Sequence, residues 1–136
     1  MNARRQEARV WLVVTGLLGF LAVALGAFGA HGIEGWLAEL PDGAKRLLWW
    51  KTGVDYHLGH TLLLLGLSLL PEHFPSVLAR RARVCTIVGI GVFSGTLYVM
   101  TLTGYKALGM VTPLGGLCLL AAWGTLALGA WRSPRT

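Results

Sequence analysis

Polar side chains that could do chemistry recur inside the apolar stretches of this 136-residue sequence. Imidazole transfers protons and binds metals, hydroxyl groups form hydrogen bonds, and ionisable groups are costly inside a membrane. Such side chains are therefore the first place to look for a function. The predicted polar layer, for ligand binding or for helix packing, consists of His31, Tyr56, His60, Ser94, Tyr98 and Thr112.

The spacing of these residues favours shared helix faces over a metal centre. Tyr56 and His60 are four residues apart, as are Ser94 and Tyr98, so each pair shares one face of a helix. His57 and His60 are three apart, which permits a shared metal, but no thiolate lies near them. We therefore predict no metal in this layer.

A haem between two histidines is the other cofactor to consider. His31 and His60 fall on different predicted helices, so geometry does not forbid it, but His31 is placed at the membrane rim. We predict no cofactor. A role as hydrogen-bonding contacts between helices stays open for every member of the polar layer.

No catalytic signature accompanies the layer. The sequence has no Ser-His-Asp set at a nucleophile elbow, no glycine-rich phosphate loop and no paired carboxylates within an apolar run. Lys51 and Asp55 lie one turn apart and are predicted to form an ion pair at the rim. The sequence therefore does not predict an enzyme.

Four apolar runs must position these side chains. A helix that crosses hydrocarbon needs about 20 apolar residues, and only 13% of the residues are charged, about half the share of a soluble domain. The predicted fold class is all-α: a polytopic membrane protein, a four-transmembrane-helix bundle in a single domain, 1–136. Its helices are predicted at about 10–30, 45–70, 84–102 and 110–131.

The first loop carries a shorter helical pattern. From Ile33 to Leu40, apolar residues recur at the i, i+3, i+4, i+7 spacing of an amphipathic helix. The pattern predicts a short interfacial amphipathic helix in the first outer loop. Trp49 and Trp50 are expected to mark the interface where the next helix enters lipid.

Basic residues gather at the ends of the apolar runs, so the net charge of +6 does not indicate nucleic-acid binding. Their bias predicts both termini in the cytoplasm. A cleaved signal peptide is the alternative for the first run, but that run exceeds the roughly 7–15 apolar residues of such signals. The predicted inner residues are Arg4, Arg5, Arg9, Arg80, Arg81, Arg83, Arg132 and Arg135, and the outer ones are Lys45, Arg46, Lys51 and Lys106.

Small residues recur at spacing four on three of the predicted helices. Lipid offers no hydrophobic drive between helices, so close backbone approach at such stripes supplies the packing. Whether they serve contacts within the chain or a homo-oligomer stays open. The stripes are Ala22, Gly26 and Ala30, then Gly91 and Gly95, then Ala121, Thr125 and Gly129.

Four motifs occur in order: LGAFGAHG at 25–32, Tyr56 with His60, FSGTLY at 93–98, and TPLGG at 112–116 followed by Trp123. Together they resemble the family catalogued as domain of unknown function 423, which includes YgdD-like inner-membrane proteins and the eukaryotic transmembrane protein 256 group. The resemblance runs from about Leu17 to Trp131, with Thr96 where the family often has serine. It implies a multi-pass protein of the bacterial inner (plasma) membrane and no established activity.

Two functions are therefore favoured over a membrane enzyme. The first is a non-enzymatic accessory or assembly subunit of a membrane complex, with the lipid bilayer and other membrane subunits, or copies of itself, as partners. It predicts that the small-residue stripes matter more than His31 or His60. The alternative is a small transport or ligand-binding bundle for a proton, a quinone or another small molecule, which would use the polar layer.

Overall fold

The computed structural model describes residues 3–71 and 73–134, and for Ala3 and Arg4 it describes only the backbone. Arg135, used in the charge count, lies outside the described residues. The α-helices are α1 (Ala3–Phe28), α2 (Glu34–Ala38), α3 (Gly43–Ser68), α4 (Ser76–Gly89), α5 (Gly95–Thr103) and α6 (Thr112–Arg132). Two π-helical turns, Gly29–Ile33 and Ile90–Ser94, and a 3₁₀ turn, Lys106–Met110, connect some of them. The all-α class is confirmed.

Two of these helices are continuations of the one before. α1 passes into α2 through the first π turn, and the backbone stays right-handed helical on both sides of it. α4 passes into α5 through the second π turn in the same way. A π turn is a local widening of an α-helix and is frequent at functional sites.

The separate amphipathic helix expected in the first loop is not confirmed. α2 continues α1, and Ile33 and Leu37 are buried against Trp50 instead of facing a headgroup layer. The i, i+4 spacing that suits an interface suits a helix packed on its neighbour equally well. Trp50, expected at the interface, is only 2% exposed.

Three described helices are long and apolar enough to cross a membrane: Arg5–Ala38, Ser76–Thr103 and Lys106–Arg132. α3 is not among them, although it has 26 residues. Lys51, Asp55 and His57 all lie in α3, and such polar residues lower its mean hydropathy. The protein is therefore a multi-pass helical membrane protein, and the count of four spans is not confirmed by length and composition.

The helices form an antiparallel array in the order α1, α3, α4–α5, α6. α1 packs chiefly on α3, and α6 packs chiefly on α4 and the second π turn. The start of α1 and the end of α6 lie on the same side, where Glu7 of α1 meets Arg83 of α4 and Phe74 meets Gly129 of α6. We call this side the terminal end and the opposite side the far end.

Close backbone approach holds the array together. A Cβ on Gly115 would lie 2.8 Å from the Cα of Phe93, and a Cβ on Gly89 would lie 2.7 Å from the Cγ of Leu119. Such approach gives helices in lipid their dispersion contacts. A buried cluster fills the space between α3, α4 and α6 and consists of Leu63, Leu67, Ala82 and Ala122.

Candidate functional site

An aromatic group surrounds His60 where α3, the second π turn and α6 meet. Tyr56 stacks on His60 with ring centroids 5.7 Å apart, and it lies 4.4 Å from the ring of Phe93. Trp123 meets His60 edge-on at 6.4 Å. Tyr56 and Trp123 are 44% and 49% exposed, so this His60 group lies at the surface of the bundle.

Both ring nitrogens of His60 have partners. The indole N–H of Trp123 donates to Nε2 at 3.3 Å, and Nδ1 lies 2.8 Å from the carbonyl oxygen of Tyr56. A carbonyl only accepts, so a neutral imidazole with its proton on Nδ1 satisfies both contacts. Binding a metal would require breaking one of these hydrogen bonds. The geometry therefore favours a packing role for His60.

A second group is buried between α1, α3 and α5. The Tyr98 hydroxyl lies 3.2 Å from Nδ1 of His57, and the rings of Tyr98 and Trp50 are 4.8 Å apart. Gly53 makes room for this stack, because a Cβ there would lie 2.9 Å from the Tyr98 ring. His57 and Trp50 are each 2% exposed. This His57 group is the polar interior of the array.

Trp50 joins α3 to the end of α1 and to the first π turn. Its indole N–H donates to the carbonyl oxygen of Leu25 at 3.0 Å, and Phe28 meets its ring edge-on at 6.1 Å. A Cβ on Gly29 would lie 2.6 Å from Cδ1 of the indole. The LGAFGAHG motif therefore receives a tryptophan, and Gly29 is the residue that leaves space for it.

The polar layer and its surroundings contain two buried polar atoms that have no hydrogen-bond partner among the described residues: Nε2 of His57 and Oγ of Ser94. Ser94 is 1% exposed and ends the second π turn, one helical turn before Tyr98. A buried polar group without a partner costs about 1–3 kcal/mol. These two atoms could still take part in a further hydrogen bond.

Thr112 joins α6 to α5. Its hydroxyl lies 2.8 Å from the hydroxyl of Thr96, and Gly115 meets Phe93 one turn further along α6. The FSGTLY and TPLGG motifs are thus two sides of one helix contact.

His31 stands apart from the rest of the layer. It is exposed on the first π turn, and no hydrogen bond or ring contact in the described part of the chain joins it to the other five residues. The structure therefore divides the predicted layer into the His60 group, the His57 group, the Thr112 contact and an isolated His31.

The predicted ion pair is not brought together. Lys51 and Asp55 are exposed, and no salt bridge within 4.0 Å joins them among the described residues. At the far end Arg46 instead binds Asp42 at 3.0 Å. Arg46 also lies against Gly104, whose left-handed φ of 73° ends α5. An exposed pair of i, i+4 charges gains little, which is why its formation is not assured by spacing.

The small-residue stripes divide between the inside and the outside of the array. Those that face a neighbouring helix or loop are Ala22, Gly26 and Gly129. Those that are exposed, or whose Cβ position has no other atom within 4 Å, are Ala30, Gly91, Gly95 and Ala121. Thr125 uses its hydroxyl within its own helix, donating to the Ala121 carbonyl at 2.7 Å.

Arg83 has a structural role that the sequence reasoning missed, because there it counts only toward topology. Its Nε and Nη2 donate to the carbonyl oxygen of Leu67 at 3.0 and 2.8 Å, and Nη1 donates to Glu7 at 3.1 Å. The guanidinium also lies over the ring of Trp11 at 5.5 Å. The available signal was spacing, because Arg83 lies three residues before buried Thr86 and shares its face.

His57 likewise enters the sequence reasoning only as a metal partner of His60. Gly53, His57 and Thr61 are spaced by four residues and form the buried face of α3. This spacing of four indicates that His57 lies on a buried face, whereas its separation of three residues from His60 does not.

The chemistry open to the site is limited by these contacts. No group of three or more metal-ligating side chains occurs in the described ranges. Three clefts open at the terminal end, and none of the three is lined by a member of the polar layer. Within the layer, His60, Tyr98 and Thr112 make hydrogen bonds between helices, and Oγ of Ser94 has no hydrogen-bond partner among the described residues.

Long apolar helices and glycine-mediated crossings define a small multi-pass helical membrane protein. The chain belongs to the family described as Protein of unknown function (DUF423), whose model matches residues 25–116. The resemblance drawn from the four motifs is confirmed.

Named relatives are similar over most of their length. UPF0382 membrane protein YwdK of Bacillus subtilis is 39% identical, over 85% of this chain and 90% of its own. UPF0382 inner membrane protein YgdD of Escherichia coli K12 is 36% identical, over 94% of each chain. A UPF0382 membrane protein of Haemophilus influenzae is 36% identical over 90% of this chain and 94% of its own. No solved structure matches the chain.

Proposed function

We propose that the protein is a non-enzymatic accessory or assembly subunit of the inner membrane, and that an uncovered face of α3 packs against a helix of another membrane protein. The supporting observation is that the most polar long helix of the array is left bare on one side.

Its position supports α3 as a fourth span. α3 is about 39 Å long at 1.5 Å per residue, and hydrocarbon is about 30 Å thick. It contacts α1, α4 and α5, which belong to helices apolar enough to cross a membrane. A helix flanked by spans along its length crosses with them.

The uncovered face is a regular stripe. Its residues are spaced alternately by four and three, which is the spacing of a helix-pairing seam. All are exposed, and the leucines range from 38% to 64%. The stripe consists of Lys51, Asp55, Leu58, Leu62, Leu65 and Leu69. Gly59 and Gly66 border it, and neither has an atom within 4 Å of a Cβ position, so a helix could approach closely.

Asp55 makes lipid a poor cover for this stripe. α1 and α3 run antiparallel, with Gly19 opposite Thr61 and Gly26 opposite Val54. The numbers of two facing residues therefore sum to 80, which places Asp55 level with Leu25. That is five residues, about 7 Å, inside the end of the apolar run 10–30. A carboxylate at this depth requires a partner, and Asp55 has no salt bridge among the described residues.

The charge also selects the class of partner. Two copies inserted in the same orientation pair their α3 helices in parallel, and each seam residue then faces its own copy. Asp55 would face Asp55, and like charges repel. The partner we propose is therefore a different transmembrane helix, with apolar residues against the leucines and a lysine, arginine or hydroxyl level with Asp55.

The test combines gentle extraction from native membranes with mass spectrometry of the intact assembly. A photo-crosslinking amino acid at position 62 should capture one membrane protein in stoichiometric yield. The same amino acid at position 120, where Leu120 is a comparably exposed leucine of α6, should not. Asp55→Asn should reduce recovery of that partner, and Glu34→Gln, an exposed carboxylate off the stripe, should not.

A monomer, a homo-oligomer or equal crosslinking from positions 62 and 120 would overturn the proposal. A partner whose recovery is unaffected by Asp55→Asn would do so as well.

For topology, we propose that the terminal end faces the cytoplasm. The described basic side chains there are Arg5, Arg9, Arg80, Arg81, Arg83 and Arg132, against four at the far end. A reporter fused to the C-terminus that is active only in the cytoplasm tests the orientation. If a reporter that is active only in the periplasm is active at the C-terminus instead, the orientation is the reverse of the one proposed.

One observation favours the alternative of a proton- or ligand-binding bundle. Nε2 of His57 and Oγ of Ser94 are buried without described partners, and such groups accept a water, a proton or a polar ligand. A small molecule retained after extraction and lost in His57→Leu, with fold and partner unchanged, would support it.

A further inference from the structure

A cleft of about 210 Å³ opens at the terminal end, where α1 begins, α3 ends and α4 begins. Arg5 and Arg83 line it together with the hydroxyl-bearing Ser76, and Leu70 and Phe74 form its apolar wall. The cleft therefore combines two guanidinium groups with an apolar surface at the end of the membrane-crossing helices.

Arg83 is fixed and still has donors to offer. A guanidinium carries five N–H donors, and three of them bind Leu67 and Glu7. The side chain is 10% exposed and is held against the ring of Trp11. Two N–H donors of an ordered guanidinium remain, and such a group suits phosphate oxygens in both charge and planar geometry.

The charges around the cleft favour an anion. Glu7 offsets one of the two lining arginines, which leaves one positive charge in the cleft itself. Arg80 and Arg9 line the two neighbouring clefts on the same end. Basic pockets between transmembrane helices at a membrane surface bind anionic headgroups.

We propose that this cleft binds the phosphate group of an anionic phospholipid headgroup. Arg83 and Arg5 hold the phosphate, and the apolar wall formed by Leu70 and Phe74 contacts the glycerol and the start of the acyl chains. The apolar wall at the membrane surface is the reason to assign a lipid rather than free phosphate. The inference does not depend on the partner of α3.

The experiment titrates the detergent-purified full chain with phosphatidylglycerol, and separately with phosphatidylcholine, while melting temperature reports binding. Phosphatidylglycerol should stabilise the protein at lower concentration. Arg5→Ala should weaken that apparent affinity about fivefold, as expected for one basic contact near a membrane surface. Arg81→Ala, an exposed arginine of α4 that lines none of the three clefts, should weaken it less than Arg5→Ala does, because salt screens an exposed charge that makes no contact in the cleft.

Arg83 is part of the helix packing, so its variants could fail to fold, and Arg5→Ala avoids that problem because Arg5 is exposed. Equal stabilisation by the two lipids, or equal weakening by Arg5→Ala and Arg81→Ala, would overturn the site. Inorganic phosphate reproducing the full effect without lipid would overturn the lipid assignment.

Discussion

Replacing Gly115 with alanine tests the contact between the FSGTLY and TPLGG motifs. The new Cβ would lie 2.8 Å from the Cα of Phe93 and closer still to its backbone nitrogen, whereas ordinary contact begins at 3.4 Å. These are backbone atoms of a helix and cannot move aside as a side chain does. The start of α6 must therefore move away from the second π turn.

The expected loss follows from that displacement. Overpacking of a close contact costs about 1–3 kcal/mol, and moving α6 outward also lengthens the 2.8 Å bond between Thr96 and Thr112. Interhelical hydrogen bonds in membranes contribute about 0.6 kcal/mol on average, so they add to the steric effect without dominating it. We expect Gly115→Ala to lower the free energy of unfolding by about 2 kcal/mol.

Equilibrium unfolding in mild detergent, followed by far-ultraviolet circular dichroism, measures this loss. Gly91→Ala is the matched control, because it changes the same residue type in the adjoining π turn and its Cβ meets nothing within 4 Å. Alanine favours a helix over glycine by roughly 0.5–1 kcal/mol, so this control should be neutral or stabilising. A Gly115→Ala variant as stable as Gly91→Ala would refute the assigned helix crossing.

Three further substitutions test the buried contacts by the same unfolding measurement. Trp50→Phe keeps a ring but removes the donor to the Leu25 carbonyl, and should cost about 1 kcal/mol. Tyr98→Phe removes the hydroxyl next to Nδ1 of His57 and leaves a buried imidazole without its described partner, and should cost about 1–3 kcal/mol. Arg83→Lys loses the two-donor contact to the end of α3, and should cost about 1.5–3 kcal/mol, the range for hydrogen bonds of charged groups.

Each of these substitutions has an exposed counterpart in the chain. Trp131 is 82% exposed, Tyr105 is 62% exposed, and Arg81 is exposed on α4. Trp131→Phe, Tyr105→Phe and Arg81→Lys should each stay within about 0.5 kcal/mol of the parent protein. If a buried variant matches its exposed counterpart, the contact assigned to it is not stabilising.

Two of the four predicted runs correspond to helix bounds, because hydrophobicity sets the bounds of those helices, whereas the run 10–30 covers only part of the helical stretch from Ala3 to Ala38. The runs at 45–70 and 110–131 correspond to Gly43–Ser68 and Thr112–Arg132. The run at 84–102 misses the start of its helix, which begins at Ser76. The arginines from 80 to 83 are helical but polar, and an apolar run marks contact with lipid rather than the extent of a helix.

Position in the chain predicts the level of a polar side chain along its helix, but it does not predict the direction in which the side chain points. The sequence alone does not distinguish a histidine that faces α6, as His60 does, from one that faces the interior, as His57 does. Neither π turn could be predicted from composition. A single widened turn nevertheless changes the helix face on which every later residue of that helix lies. Trp50 is another case of an unpredicted direction, since its position in the sequence predicts the interface, and the end of α1 and the first π turn instead cover it.

The position of α3 explains how one helix can carry so many polar groups. Its neighbours α1, α4 and α5 cover the face with Gly53, His57 and Thr61, so the polar groups there are removed from lipid. The face with Asp55 is not covered by any of the described helices, and on our proposal a helix of another protein covers it. On our proposal, a helix of another membrane protein packs on the side left open on α3, and enclosure by its neighbours lets a helix too polar to cross alone cross with them.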